Sequence, residues 1–399
     1  MKRLTLTILL FKAGSLLGQN YSDTLDAQFR QIFEESNLPG FSVGIFNEQS
    51  VLYGKGFGLA NTEIELPYGL DNPQQIASIS KTFIAVALMQ CIEEGHFELE
   101  TPINELLPFK VINPHHPEAE MLVKHLANHT SSIVDAKSEW KNTYYLLNEV
   151  DFQSQSFTKE ERKFLRGISA NEEITLEEYL KNYLIVEGEW YSKKIFSKSQ
   201  AGINYSYSNL ASGLAAYLVE AVQKMPYSSY IIEKIIQPLG MKNSGWEHKN
   251  SSNEDAIQHL SNGQPYPKFE DINYPSGNIK STINDLILYQ QDMMLGLKGE
   301  GQLLKTSSYE SMFSPTSFNS DESESVGVFW IKHDVLGDLM HPGAAAGAVG
   351  VIGFNPEKNI GYVLLTNSGT HTDQQGESYV KIWRTILKYR ELLTNARNK

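Results

Sequence analysis

Ser78-Ile79-Ser80-Lys81, Tyr207-Ser208-Asn209 and His341-Pro342-Gly343 follow one another along the chain, and their residue types can carry acyl transfer. A serine and a lysine three residues apart on a helix lie one turn apart on the same face, so the amine can take the hydroxyl proton. Ser78 opens the apolar run Phe83, Ile84, Val86, Ala87, Leu88, Met89, Ile92, which ends at Gly95. That pattern places Ser78 at a helix N-terminus, where its backbone N–H has no intrahelical partner and is free to point at a developing oxyanion. Ser-x-x-Lys also occurs at Ser138–Lys141, Ser156–Lys159 and Ser378–Lys381. The spacing alone reads equally well as an N-cap and a solvated lysine, so context has to separate the copies.

Tyr-x-Asn occurs once, at Tyr207 to Asn209, directly before Leu210, Leu214, Leu218 and Val222, whose spacing of four marks a buried helix face. A phenol beside a lysine ammonium is expected to ionise below its usual pKa of about 10 and to shuttle the serine proton to a leaving group. Asn209 offers an amide N–H to a substrate carbonyl or holds Lys81 in place. His341-Pro342-Gly343 precedes Ala344-Ala345-Ala346-Gly347 and the β-rich Val349, Val351, Ile352, Phe354. Small side chains there leave backbone exposed, and the Ala344 N–H is the expected second oxyanion donor. Pro342 cannot donate to a ladder, which fits an edge strand beside a cleft.

These motifs, in this order, resemble the serine β-lactamase and penicillin-binding-protein superfamily, in particular its class C-like branch with esterases, D-aminopeptidases and DD-carboxypeptidases. Gly54-Lys55-Gly56-Phe57-Gly58, Leu126-Ala127-Asn128-His129-Thr130-Ser131, Gln237-Pro238-Leu239-Gly240-Met241, Gly277 through Asp285, and Phe354-Asn355-Pro356 resemble stretches that recur between the motifs in that family. The resemblance implies an acylated Ser78, a general-base role shared by Lys81 and Tyr207, and substrate orientation by Asn209 and His341, beside the exposed backbone of Gly343 and Ala344. Two positions depart from it. His-Pro-Gly stands where class C β-lactamases have Lys-Thr-Gly, and a histidine only partly charged near neutrality replaces a fixed cation, which leans away from carboxylate-bearing β-lactams and D-Ala-D-Ala toward esters, amides or lactones. Ser132 stands where the family usually has a glycine.

The 399 residues, 41% hydrophobic and 11% aromatic with charged residues at 20%, can bury a large core. Length alone suggests two or three domains, but no Pro/Gly/Ser linker, repeat or low-complexity tract appears. The expectation is one α+β unit with two lobes, an antiparallel sheet lobe at about 25–95 and 276–395 flanked by N- and C-terminal helices, and an inserted, mainly helical lobe at about 96–275. Phe41 to Phe46 with Val51 to Tyr53, and Val349 to Phe354 with Ile360 to Leu365, read as hairpins. Thr175-Leu176-Glu177-Glu178 reads as a capping box, Thr282 to Met294 as a helix, and Tyr379, Ile382, Trp383, Ile386 and Leu387 as one helix face.

Met1-Lys2-Arg3 followed by Leu4 to Phe11 reads as a short signal peptide over 1–18, implying a periplasmic or secreted enzyme; that run is far below the roughly 20 residues a membrane span needs. Cys91, the one cysteine, can form no intrachain disulfide. The net charge of −13 would become −16 on loss of Lys2, Arg3 and Lys12, which disfavours nucleic acid and anionic membranes and favours a small-molecule or peptide substrate. His115-His116 reads as a solvated turn, and neither a metal motif nor a phosphate loop is found, so the expected chemistry uses no cofactor. Residues 132–171 and 247–274 are polar or poorly periodic and are where substrate choice is expected to reside. An exported serine hydrolase of esterase or peptidase type is the leading reading, with a β-lactamase or penicillin-binding carboxypeptidase and a non-catalytic binding relative as alternatives.

Overall fold

The computed structural model describes residues 21–153, 156–246, 254–318, 324–369 and 372–397, so the expected leader and part of the second polar segment, 247–253, lie outside the described residues. Among the described residues nine strands form one antiparallel sheet: β1 (Gly40–Phe46), β2 (Val51–Asn61), β3 (Leu66–Pro67), β8 (Ser317–Phe318), β9 (Glu324–Val326), β10 (Ile331–His333), β11 (Asp338–Ala345), β12 (Ala348–Asn355) and β13 (Ile360–Thr366). Their spatial order is β3-β2-β1-β13-β12-β11-β10-β9-β8, and β1 pairs with β13, so the two ends of the chain close the sheet together. Two-stranded ladders join β4 (Gln74–Gln75) to β7 (Lys280–Ser281) and β5 (Tyr144–Leu146) to β6 (Phe269–Asp271).

Side chains alternate across a strand, so a sheet covered on both faces must be apolar on both. On one face Phe41, Val43, Ile45, Val351, Tyr362 and Leu364 pack with Leu25 and Phe29 of the helix over 21–35 and with Ile382, Ile386 and Leu393 of the terminal helix Asp373–Arg397. On the other, Ile352, Phe354, Val363 and Leu365 join the core built around helices Lys81–Glu93 and Ile283–Gly296. Gly44 lets the second of these helices approach, since a Cβ there would stand 2.8 Å from both Ile283 and Ile287. The expected hairpins, the Thr175 capping box and the Thr282 helix start are present. Strand β2 runs eight residues beyond its expected end at Tyr53, because glycines at 54, 56 and 58 hide its alternation; Gly56 lies against the Tyr68 backbone, where a side chain has no room.

The terminal helix is tied to the sheet by charge as well as by apolar packing. Arg390 Nη1 donates to Asp338 Oδ2 at 2.6 Å, both side chains being almost wholly buried, and Asn355 Nδ2 donates to Asp338 Oδ1 at 3.2 Å. Asp338 opens β11, the strand that ends in the third motif. Arg390→Ala should therefore cost about 3–5 kcal/mol, the usual consequence of leaving one buried charge without its partner, whereas Asp338→Asn combined with Arg390→Met should cost much less. Equal losses in chemical denaturation of the two proteins would show that the ion pair is not what matters there.

Candidate active site

Ser78 lies at the N-terminus of the helix Lys81–Glu93, on the 3₁₀ turn Ala77–Ser80 that leads directly into it. The turn is held on both sides. Ile76 N donates to Ile279 O at 2.9 Å, Ile279 N donates to Ser80 Oγ at 3.3 Å, and Ala77 sits at φ 49°, a left-handed conformation that costs a non-glycine residue energy and occurs where surroundings enforce it. On the far side Gly343 of β11 comes so close that a Cβ would stand 2.4 Å from Ile76 O, which explains the glycine of the third motif.

Lys81 is fully buried and has three partners: Ser276 O at 2.6 Å, Asn209 Oδ1 at 2.8 Å and Ser78 Oγ at 3.1 Å. The first two oxygens only accept hydrogen bonds. A neutral amine would spend its two N–H groups on them and turn its lone pair toward the Ser78 hydroxyl. Burial pushes the Lys81 pKa down to about 7 against the pull of Asp135, Asp271 and Glu139, so the neutral form is accessible at neutral pH. Asn209, with its oxygen on Lys81, has its NH₂ end left for a substrate.

Tyr207 and Asn209 are set by the N-terminus of helix Asn209–Gln223, which is capped twice. Ser208 Oγ accepts from Ala211 N at 3.0 Å and donates to Asp135 Oδ1 at 2.7 Å, while Asn209 N and Leu210 N donate to the Asp135 carboxylate at 2.7 and 3.2 Å. A carboxylate there satisfies unpaired first-turn N–H groups and complements the helix dipole. The Tyr207 ring lies 4.5 Å from that of His129, and Lys81 Nζ stands 5.1 Å from the Tyr207 ring centre. The expected lowering of the phenol's pKa is not found. Desolvation of the hydroxyl and the charge of Asp135 raise it more than the Ser78 hydrogen bond lowers it, so Tyr207 is a protonated phenol at neutral pH.

Strand β11 is interior to the sheet, but its pairing with β10 covers only Asp338 to Met340, and His341 to Ala345 face the cleft on that side. Pro342 thus occupies the edge-like half of a central strand. His341 Nδ1 lies 2.7 Å from Pro342 O; a carbonyl only accepts, so Nδ1 carries the proton and Nε2 offers a lone pair. Burial and Lys81 push the His341 pKa down to about 3, which corrects the expectation of partial charge near neutrality: this imidazole is neutral there. Ser132, at φ 67°, adopts the left-handed turn that suits the glycine usual in the resembled family.

Ser78, Tyr207, Asn209, His341, Gly343 and Ala344 line one cleft of about 1220 Å³, with Lys81 beneath them. Ser138, Ser156 and Ser378 do not line it, and the Ser378 hydroxyl donates to Gln374 O at 2.8 Å. Asp135, Glu139 and Asp271, which act on Lys81, carry no motif and escaped the sequence reading; all three come from the two polar segments or their edges. Burial and repulsion by Asp135 push Glu139 up to about 7, despite hydrogen bonds from Tyr179 and from Thr143 Oγ1 at 2.8 Å.

A family model described as Beta-lactamase matches residues 25–382. The chain belongs to the beta-lactamase family. This is a serine-hydrolase family, and the antiparallel sheet with flanking helices has its fold. Protein flp of Staphylococcus aureus (strain MRSA252) is 21% identical over 351 residues, covering 86% of this chain and 62% of that protein, so the chain spans about three fifths of the length of such curated relatives. The octameric penicillin-binding protein homologue of Pyrococcus abyssi superposes with a TM-score of 0.68 at 24% identity over 92% of this chain and 77% of that one. EstCE1, a hydrolase with promiscuous acyltransferase activity, superposes with a TM-score of 0.69 at 17% identity over 93% and 99%.

If the Lys81 lone pair activates Ser78, labelling of Ser78 by a fluorophosphonate should slow as pH falls through about 7. Glu139→Gln removes one of the three charges that hold the Lys81 pKa up, so the midpoint should move to lower pH. A midpoint that stays fixed or moves up contradicts the assignment.

Proposed function

We propose that this chain hydrolyses esters or amides through an acyl-enzyme on Ser78. The observation that carries the reading is the Lys81 amine, buried, drawn toward neutrality and placed 3.1 Å from Ser78 Oγ with its other two partners acceptor-only. Lys81 takes the hydroxyl proton as Ser78 Oγ attacks the carbonyl, and the oxyanion forms between the Ser78 and Ala344 N–H groups. Tyr207, protonated and bonded to Ser78, is suited to be the general acid that passes a proton to the leaving group rather than a phenolate base. Water then reverses the sequence and frees Ser78. Export is part of this reading, supported by the basic start and the apolar Leu4 to Phe11.

A neutral His341 supports substrates without a carboxylate at the third motif. Lys381 and Arg384 on the cleft wall favour the second reading, a penicillin-binding carboxypeptidase or β-lactamase, but Asp373 and Glu377 of the same helix oppose them there. The two readings separate when the protein is incubated in parallel with a fluorophosphonate, a fluorescent penicillin and p-nitrophenyl acetate. Wild type should give a phosphonylated Ser78 and acetate turnover with little penicillin adduct, and Ser78→Ala should abolish both signals. Lys81→Ala and Tyr207→Phe should each lower kcat by at least about 100-fold, and their combination by much less than the product, because they serve one proton path. Full activity in Ser78→Ala would sink the proposal, and rapid penicillin turnover would favour the second reading.

A further inference from the structure

Two cavities meet at Ser78. The larger carries Tyr207, the proton donor to the leaving group, and so is the side on which that group departs. The smaller, about 50 Å³, shares Ser78, Asn209 and Ala344 with it but not Tyr207, and reaches Glu139, Tyr144 and Asp271. An acyl carbonyl held at Ser78 therefore directs its own substituent into the smaller cavity.

The walls of that cavity have an uncommon charge pattern. Its charged lining residues are Glu139 and Asp271, with no basic side chain among the described ones. Lys81, which feels both carboxylates, is already committed to Ser276 O, Asn209 Oδ1 and Ser78 Oγ. Asp271 ends β6 opposite Tyr144 of β5, is 6% exposed, and its Oδ1 has no hydrogen-bond partner among the described residues. A buried carboxylate oxygen without a donor is costly, and a group that brings both N–H donors and positive charge removes the cost.

We propose that the small cavity binds the primary ammonium of an amino-acyl substrate, with Asp271 as its direct partner and Glu139 as a second, flanking charge. This rests on the hydrolase reading above and names its substrate class: esters or amides of amino acids whose free amine lies close to the scissile carbonyl. The cavity suits this occupant, because burial and repulsion by Glu139 raise the Asp271 pKa well above its usual value, and a neighbouring ammonium opposes that rise. In the reaction Ser78 Oγ–H adds to the carbonyl, its proton passes by way of Lys81 and Tyr207 to the leaving oxygen or nitrogen, and that C–O or C–N bond breaks. Water then adds, the acyl bond to Ser78 breaks, the serine proton is restored, and the amino acid leaves with its ammonium unchanged.

The test compares alanine benzyl ester, each enantiomer, with benzyl propionate and N-acetylalanine benzyl ester, at a pH below the amine's own pKa and with benzyl alcohol release as the readout. Wild type should favour one alanine ester over both uncharged analogues by at least about 30-fold in kcat/KM, and Asp271→Asn should cut that preference to about threefold or less. Glu139→Gln should reduce it by a smaller factor. Absence of an amine preference in wild type overturns the inference, and this comparison decides even if Asp271→Asn fails to fold. Equal losses on all three substrates in Asp271→Asn also overturn it, since that is what an indirect effect through Lys81 would produce. Ser78-dependent hydrolysis of benzyl propionate with no advantage from the amine removes the ammonium site alone; no Ser78-dependent hydrolysis of any ester removes the hydrolase reading and this inference with it.

Discussion

Removing one lysine ammonium from water is the interaction on which the rest of the site depends. An amine in water near pKa 10.4 is almost wholly protonated at neutral pH and cannot take a proton from a serine. Burial makes the charged form of Lys81 expensive, and three carboxyl groups around it stop the shift at about 7. That balance leaves an amine that is partly neutral at neutral pH. It also accounts for the acids nearby: without Asp135, Asp271 and Glu139 the amine would be neutral over a wider range and a weaker base for it.

The fold meets this requirement by clamping Ser78 between elements from distant parts of the chain. Gly343 of β11 presses on the Ile76 carbonyl from one side, and the Ile279 region bonds the turn from the other. Asp135 holds the helix end that supplies Tyr207 and Asn209, and Asp338, through Arg390, anchors the start of β11 to the terminal helix. Position in this site is therefore set by tertiary contacts, and a strained residue such as Ala77 persists because its neighbours leave it no alternative.

The residues that meet in the cleft were legible because each carried a spacing or a neighbourhood of its own: Ser78 and Lys81 before an apolar helix, Tyr207 and Asn209 before another, Gly343 beside small residues on a strand. The two hairpins were legible from alternation. What stayed hidden depended on depth rather than pattern. Asp135, Glu139 and Asp271 are single acids in segments that read as polar surface, and only folding shows that they gather around Lys81. The same blindness produced the two electrostatic corrections. Adjacency to Lys81 implied a lowered Tyr207 and a partly charged His341, but desolvation of the phenol and burial of the imidazole outweigh the influence of their neighbours. In β2 the glycines erased the period-two signal and hid most of the strand.

The most direct test of this account is the protonation of Lys81 itself. Protein labelled with ¹⁵N-lysine can be titrated by NMR at Nζ, with Lys81→Ala identifying the resonance. One lysine should titrate near pH 7 and vanish in the variant, while the exposed lysines titrate near their usual value of about 10.4. A Lys81 resonance that stays protonated above pH 9 would contradict the account, because the buried amine would then be a fixed cation and not the base for Ser78.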